Sequence, residues 1–225
     1  MDSRTVSGLR ILVPGLDPAD LEPVTEAPDD DLDDAKVEGA VWPGLELTGA
    51  RFCGSHLVAV EMPGALWRNG GLSGCRLERV DLSGARLAGT TIERCEFVGC
   101  RLTGVQLTDV TLRNVVFEDC RFDYASLVNL RVAGPTVWQG CVLDHAVLTN
   151  CRLPGAVFTG CRFGELELHE CDLRGTDLTG NELAGITGLA SLAGAVLDDD
   201  QLADLAAIAV RELGVTVRPT APGPR

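Results

Sequence analysis

From Val37 onward a large apolar residue returns at every fifth position, through Trp42, Leu47 and Phe52 to Leu127 and Val132. After one extra residue the frame resumes at Trp138 and continues to Leu183. All six Phe and all three Trp fall on these central positions. Two residues before most of them stands a small or β-branched residue, and two residues after stands, most often, Gly. Apolar spacings of two and three in alternation match neither a 3.6-residue helix nor a strand that alternates over many residues. They fit three extended residues followed by a corner, with the small and central residues pointing inward and their neighbours outward. Each five-residue unit then forms one side of a tube.

Units such as Val80-Asp81-Leu82-Ser83-Gly84, Cys171-Asp172-Leu173-Arg174-Gly175 and Thr176-Asp177-Leu178-Thr179-Gly180 resemble the A(D/N)LXX motif of the pentapeptide-repeat family. The resemblance covers about two-thirds of the chain. It implies an all-β fold, a right-handed quadrilateral parallel β-helix with four units per coil. Cysteines recurring at a separation of twenty residues, as at 75/95, 100/120, 141/161 and 151/171, agree with that coil length. Thirty units make about seven and a half coils, a shaft of roughly 36 Å at ~4.8 Å per strand.

Outside the repeat, residues 1–34 are expected to form an acidic, partly ordered N-terminal cap, and the shaft is expected to run over 35–188. Residues 189–218 are expected to form a C-terminal cap of helix and strand, followed by a loose tail, 219–225. The helix is expected over Asp198 to Leu213, with Asp198 and Gln201 in capping-box spacing and Gly214 just beyond it. Its apolar face is read as Leu202, Leu205, Ala206, Ala209, Val210 and Leu213. That face either closes the last coil or meets its copy in a second chain. Because the resembling family often dimerises through its C-terminal end, the resemblance implies a homodimer held by Leu202, Leu205 and Leu213. Val215-Thr216-Val217 is read as an added edge strand.

Charge adds a restriction on partners. The formal net charge is −14, but the acids concentrate at the ends. Residues 1–45 hold 11 acids against 3 bases, whereas residues 46–183 hold 17 acids against 13 Arg. A balanced shaft with acidic ends argues against direct nucleic-acid binding. No run of about 18 apolar residues is present to span a membrane, so the expectation is a cytoplasmic protein without membrane association.

Candidate chemistry is sparse. Eight of the nine Cys occupy the small inward position and read as core residues, leaving Cys53 outward, and no CxxC pair offers a zinc site. His56, His145 and His169 lie in different coils without a converging nucleophile. No catalytic, cofactor-binding or metal-binding residue is assigned, and the protein is expected to be non-enzymatic. Two outward features are candidates for docking. One is a stripe of Arg101, Arg121 and Arg162, interrupted by Val142 and balanced by Asp123 and Asp144. The other is a strip of Val58, Val98, Val116, Val137 and Val157, either a partner-binding surface or β-favouring surface residues.

Members of the quinolone-resistance branch of the resembling family imitate B-DNA and protect gyrase or topoisomerase IV. The resemblance therefore implies a type II topoisomerase partner for this chain, engaged through the motif carboxylates Asp81, Asp172 and Asp177. Duplex DNA would carry about 21 charges over a shaft of this length, against a net −4 for residues 46–183. The alternative is a general protein-interaction scaffold that uses one ladder face.

Overall fold

The computed structural model describes residues 2–17 and 19–218. The repeat winds into a right-handed parallel β-solenoid of about seven turns with one short C-terminal helix. Four columns of central residues define four faces. Val37, Leu57, Leu77, Phe97, Phe117, Trp138 and Phe158 run along the first. The second follows Trp42 to Leu183, and its outward neighbours are joined by single parallel bridges from Val41 through Glu61, Asp81, Arg101, Arg121, Val142 and Arg162 to Glu182. Leu47, Trp67, Leu87, Leu107, Leu127, Leu148 and Leu168 build the third. Along the fourth lie Leu32, Phe52, Leu72, Ile92, Leu112 and Val132.

The columns fill the tube with a continuous core. On the first face the rings stack, Phe97 on Phe117 at 4.8 Å, Phe117 on Trp138 at 5.3 Å and Trp138 on Phe158 at 4.6 Å between centroids. Such ring pairs add ~0.5–1.5 kcal/mol each beyond the area they bury.

The small inward position has a second function besides fitting the corner. Its side chain donates to a carbonyl oxygen of the preceding coil: Cys75 Sγ to Phe52 O at 3.1 Å, Cys100 Sγ to Leu77 O at 3.3 Å and Cys161 Sγ to Trp138 O at 3.3 Å. Thr176 Oγ1 does the same to Leu153 O at 2.6 Å. A thiol is a weak donor, yet it fits where a methyl would fit and gives a buried carbonyl an additional partner. All nine cysteines are free, eight of them buried.

The extra residue is absorbed at the corner around Ala133-Gly134-Pro135. Leu112 pairs with Val132, twenty residues on, but Val115 pairs with Thr136 and Phe117 with Trp138, twenty-one residues on. The ladder continues through this one-residue bulge, and Trp138 stays buried between Phe117 and Phe158. At the next corner Gly140 has φ +63°, and a Cβ there would run into Asp119 Oδ1 of the coil above.

The ends depart from the expected plan. Parallel pairing begins upstream of Ala35, because Glu22–Val24 pairs with Ala35–Val37 and Leu32–Asp33 pairs with Phe52–Cys53. Residues 2–13 do not cap the shaft. They fold into an antiparallel hairpin, β1 (Asp2–Val6) and β2 (Leu9–Val13), turned by Ser7 and Gly8, both at positive φ. The hairpin lies against the first face at mid-shaft because its inward Val6 and Ile11 match the outward Val116 and Val137.

At the other end Asp198 and Gln201 form the capping box, followed by a turn of 3₁₀ helix and by α1 (Leu202–Glu212). No strand forms at Val215–Val217, which run exposed after Gly214. The groups of the last coil that such a strand would pair with are already occupied by α1. Asp204 accepts from Leu183 N, Glu212 accepts from Gly188 N and Leu189 N, and Arg211 donates to the carbonyls of Ala184 and Ile186. The tail 219–225 lies outside the described residues.

Candidate functional site

Outward side chains alternate with core residues along each strand, so every face presents two columns of side chains one coil apart. On the first face the upper part is charged and the lower part apolar. Lys36, His56, Arg76 and Glu96 stand above Val116, Val137 and Val157 in one column. Val58 and Val98 belong to the neighbouring column with Glu78 and Glu118. The valine strip is therefore split between two columns, and its contiguous part is Val116, Val137 and Val157.

That part is covered by the chain itself. Val6 and Ile11 bury Val116 and Val137 completely, and Leu9, Val13 and Val157 pack at the edge. Arg4 fixes the hairpin, donating to Glu96 Oε1 at 2.9 Å and to Glu118 Oε2 at 2.7 Å, and Leu12 N donates to Asn114 Oδ1 at 3.3 Å. Glu96, with only 4 % of its side chain exposed, also accepts from Arg76 at 2.8 Å. Arg76 in turn donates to Glu78 and holds its carboxyl below the usual range. Two guanidinium partners make the burial of the Glu96 carboxylate tolerable.

The arginine stripe of the second face is neutralised. Arg101 pairs with Asp81 at 3.1 Å, Arg121 with Asp123 at 3.0 Å and Arg162 with Asp144 at 2.5 Å. Arg162, by its hydrogen bond, holds the Asp144 carboxyl below its ordinary value.

The three motif carboxylates are not brought together. Asp81 is on the second face, Asp172 on the fourth and Asp177 on the first. Arg101 occupies Asp81, and Arg174 occupies Asp172 at 2.6 Å, lowering that carboxyl to about 2. Asp177 accepts from Thr179 N.

The C-terminal leucines also divide. Leu205 is half-buried against the core, whereas Leu202 and Leu213 are 58 % and 70 % exposed. The residue of α1 that seals the tube is Ile208, fully buried and outside the apolar stripe of Leu202, Leu205, Ala206, Ala209, Val210 and Leu213. Leu202, Ala206, Val210 and Leu213 form an outer face.

Charge is segregated around the shaft. Over residues 46–183, with each face taken together with the corner after it, the fourth face carries six Arg (51, 94, 113, 131, 152 and 174) against Glu93 and Asp172, a net +4. The remaining three faces share seven Arg and fifteen acids, a net −8. Among the described residues no group of three or more His, Cys, Asp or Glu is placed to hold a metal ion, and no helix is long and apolar enough to cross a membrane.

Comparisons with known proteins agree with this architecture. Full-length QnrB1, a plasmid-mediated fluoroquinolone resistance protein, has a similar fold at a TM-score of 0.59 and 16 % identity, covering 86 % of this chain and 95 % of its own. HetL, a pentapeptide repeat protein involved in heterocyst differentiation regulation from the cyanobacterium Nostoc sp., is similar at a TM-score of 0.44 and 18 % identity, covering 76 % of this chain and 86 % of its own. No curated protein sequence matches the chain significantly. A family model described as a pentapeptide repeat region matches residues 70–136, and one described as eight copies of pentapeptide repeats matches residues 141–180. The break between the two follows the inserted residue at the corner. With the five-residue frame, the four stacked columns and these matches in agreement, the chain belongs to the pentapeptide-repeat proteins.

Proposed function

We propose that this protein is a non-enzymatic docking rod that binds other proteins through the ladder faces of its shaft. The observation that carries the reading is the hairpin. A polypeptide segment lies on the outside of the first face, with apolar side chains sealed against Val116 and Val137 and an arginine clamped on two carboxylates of adjacent coils. A face that binds the chain's own segment in this way has the chemistry to bind a segment of another protein: a flat apolar strip beside an ordered charge ladder. Leu202, Val210 and Leu213 add an exposed apolar surface at the C-terminal end, which fits a symmetric homodimer.

The test is site-specific photocrosslinking in the cell of origin. A photoreactive residue is placed in turn on the first face at Thr159, the second at Val41, the third at Val147 and the fourth at Thr111. A docking rod gives one discrete adduct from one face and none from the others. Equal, diffuse labelling from all four faces overturns the reading.

A second reading, protection of a type II topoisomerase by imitation of DNA, is favoured by the fold likeness to a fluoroquinolone resistance protein over nearly the full length of both chains. The paired arginines of the second face and the basic fourth face weaken it, since a mimic needs a continuous acidic face. Under this reading the purified protein reduces gyrase supercoiling or rescues it from a quinolone, and neutralising Asp81, Asp172 and Asp177 lessens the effect. Supercoiling that is unchanged at tens of micromolar protein removes it.

A further inference from the structure

The fourth face is the one basic surface of an acidic protein, and its arginines differ in how they are partnered. Arg94 lies near Glu93 and donates to Ser73, and Arg174 is held by Asp172. Arg113, Arg131 and Arg152 are exposed and make no ion pair among the described residues. Thr111, Arg131, Arg152 and Asp172 stack in register in one column, with Arg113 in the column beside it. Thr111, Asn129, Arg131, Asn150 and Arg152 line an open groove along the corner. The carboxylate in that groove is Asp109, and its Oδ1 accepts from Asn129 at 2.9 Å, while Asn129 Oδ1 accepts from Asn150 at 2.7 Å. Two like charges one coil apart, about 4.8 Å, repel each other unless an anion lies between them.

We propose that Arg113, Arg131 and Arg152 form a docking surface for an acidic segment of a partner protein. The proposal rests on the docking-rod reading and names the partner chemistry of one face. Arg113 to Arg152 spans two coil steps, about 10 Å, which is the length of three or four extended residues. Guanidinium groups take carboxylates in pairs of hydrogen bonds, and Thr111 and the Asn ladder offer further polar contacts. The flanks exclude a polyanion of larger breadth. Asp109 and Glu170 line one edge and Glu93 precedes Arg113 in its own column, so a nucleic-acid duplex laid on the patch brings phosphates against carboxylates. A single extended segment stays within the arginines.

The experiment titrates the full-length protein into a fluorescein-labelled peptide with six consecutive glutamates, followed by anisotropy at low and at moderate salt. A labelled twelve-residue thymidine oligonucleotide is the comparison probe. The peptide binds, and binding weakens as salt rises. R131E/R152E weakens it about tenfold or more, whereas R68E/R86E, which makes the same charge change at exposed arginines of the third face, shifts it less than about twofold. All four positions are exposed, and unchanged thermal melts confirm intact variants. No peptide binding at low salt, equal loss in both variants, or tighter binding of the oligonucleotide through the same arginines overturns the proposal. Crosslinks from Thr159 or Val41 without any from Thr111 leave the docking rod standing and remove this surface. Diffuse labelling from every face removes both.

Discussion

The Arg4 guanidinium donates to the Glu96 carboxylate at 2.9 Å across 92 residues of sequence, and this contact ties the N-terminal hairpin to the middle of the shaft. Replacing Arg4 with alanine leaves Glu96 with Arg76 alone and Glu118 without its hairpin partner. The expected cost is about 1–3 kcal/mol, the usual range for a charged hydrogen bond with a buried acceptor. Hydrogen exchange of residues 2–13 should accelerate in R4A while the amides of Leu77 and Leu107 keep their protection. Unchanged exchange in the hairpin would show that Val6 and Ile11 hold it without the arginine.

Asp172 and Arg174 give a prediction in acid. The hydrogen bond from Arg174 lowers the Asp172 carboxyl from 3.8 to about 2. A depressed folded-state value contributes stability above the unfolded value, and that contribution is lost as pH falls from about 3.8 toward about 2. Carboxyl carbon chemical shifts followed by NMR should place the Asp172 midpoint near 2, and R174Q should return it toward the ordinary range. A midpoint near 4 in the unmodified protein contradicts the pairing.

The thiols separate by position. Cys53 is half-buried and outward, and burial first, then the charge of Asp33, raises its pKa. Burial pushes the Cys95 and Cys120 thiols up as well. A native thiol titration at pH 8 should count one accessible group, with the others appearing on unfolding. D33N should make Cys53 react faster by leaving more thiolate at that pH. Three or more thiols reacting at once would refute the inward assignment.

Two faces of α1 have opposite consequences. I208A empties a fully buried site over the last coil and should cost about 2–5 kcal/mol in urea unfolding. L202D together with L213D changes exposed residues, should leave unfolding of the monomer within about 0.5 kcal/mol and, under the homodimer reading, should give monomers in light scattering. Leu205 is a poor choice for that test because it packs on the core. A monomer already seen for the unmodified protein would end the dimer reading.

The tube was legible because its signal is periodic. Once the five-residue frame is set, Trp138 must follow Phe117 inward despite the added residue, and the inward cysteines follow from the same count. The capping box of Asp198 and Gln201 is equally local. The hairpin was half legible. Ser7-Gly8 ahead of the largely apolar stretch Leu9 to Val13 signals a turn, but the polar residues Asp2 to Thr5 do not read as its partner strand, and nothing near residue 4 in sequence points to Glu96 or Glu118. Ile208 escaped because the side of α1 that meets the shaft is mixed, with Gln201, Asp204, Arg211 and Glu212 satisfying backbone groups around one apolar plug. A hydrophobic stripe finds the outer face of such a helix instead. The opposed charges of the faces were present in the sequence too, but a linear count sums them to near neutrality.

The hairpin also changes how the rod comes apart. A stack held by neighbour-on-neighbour contacts opens from its ends, one rung at a time, because each coil depends on the next. Residues 2–13 lie across the rungs instead, touching Glu96, Val116 with Glu118, Val137 and Val157 in successive coils. Opening that starts at either end therefore reaches a strap along one side of the rod's waist, where several rungs are fastened together and must let go in a single event.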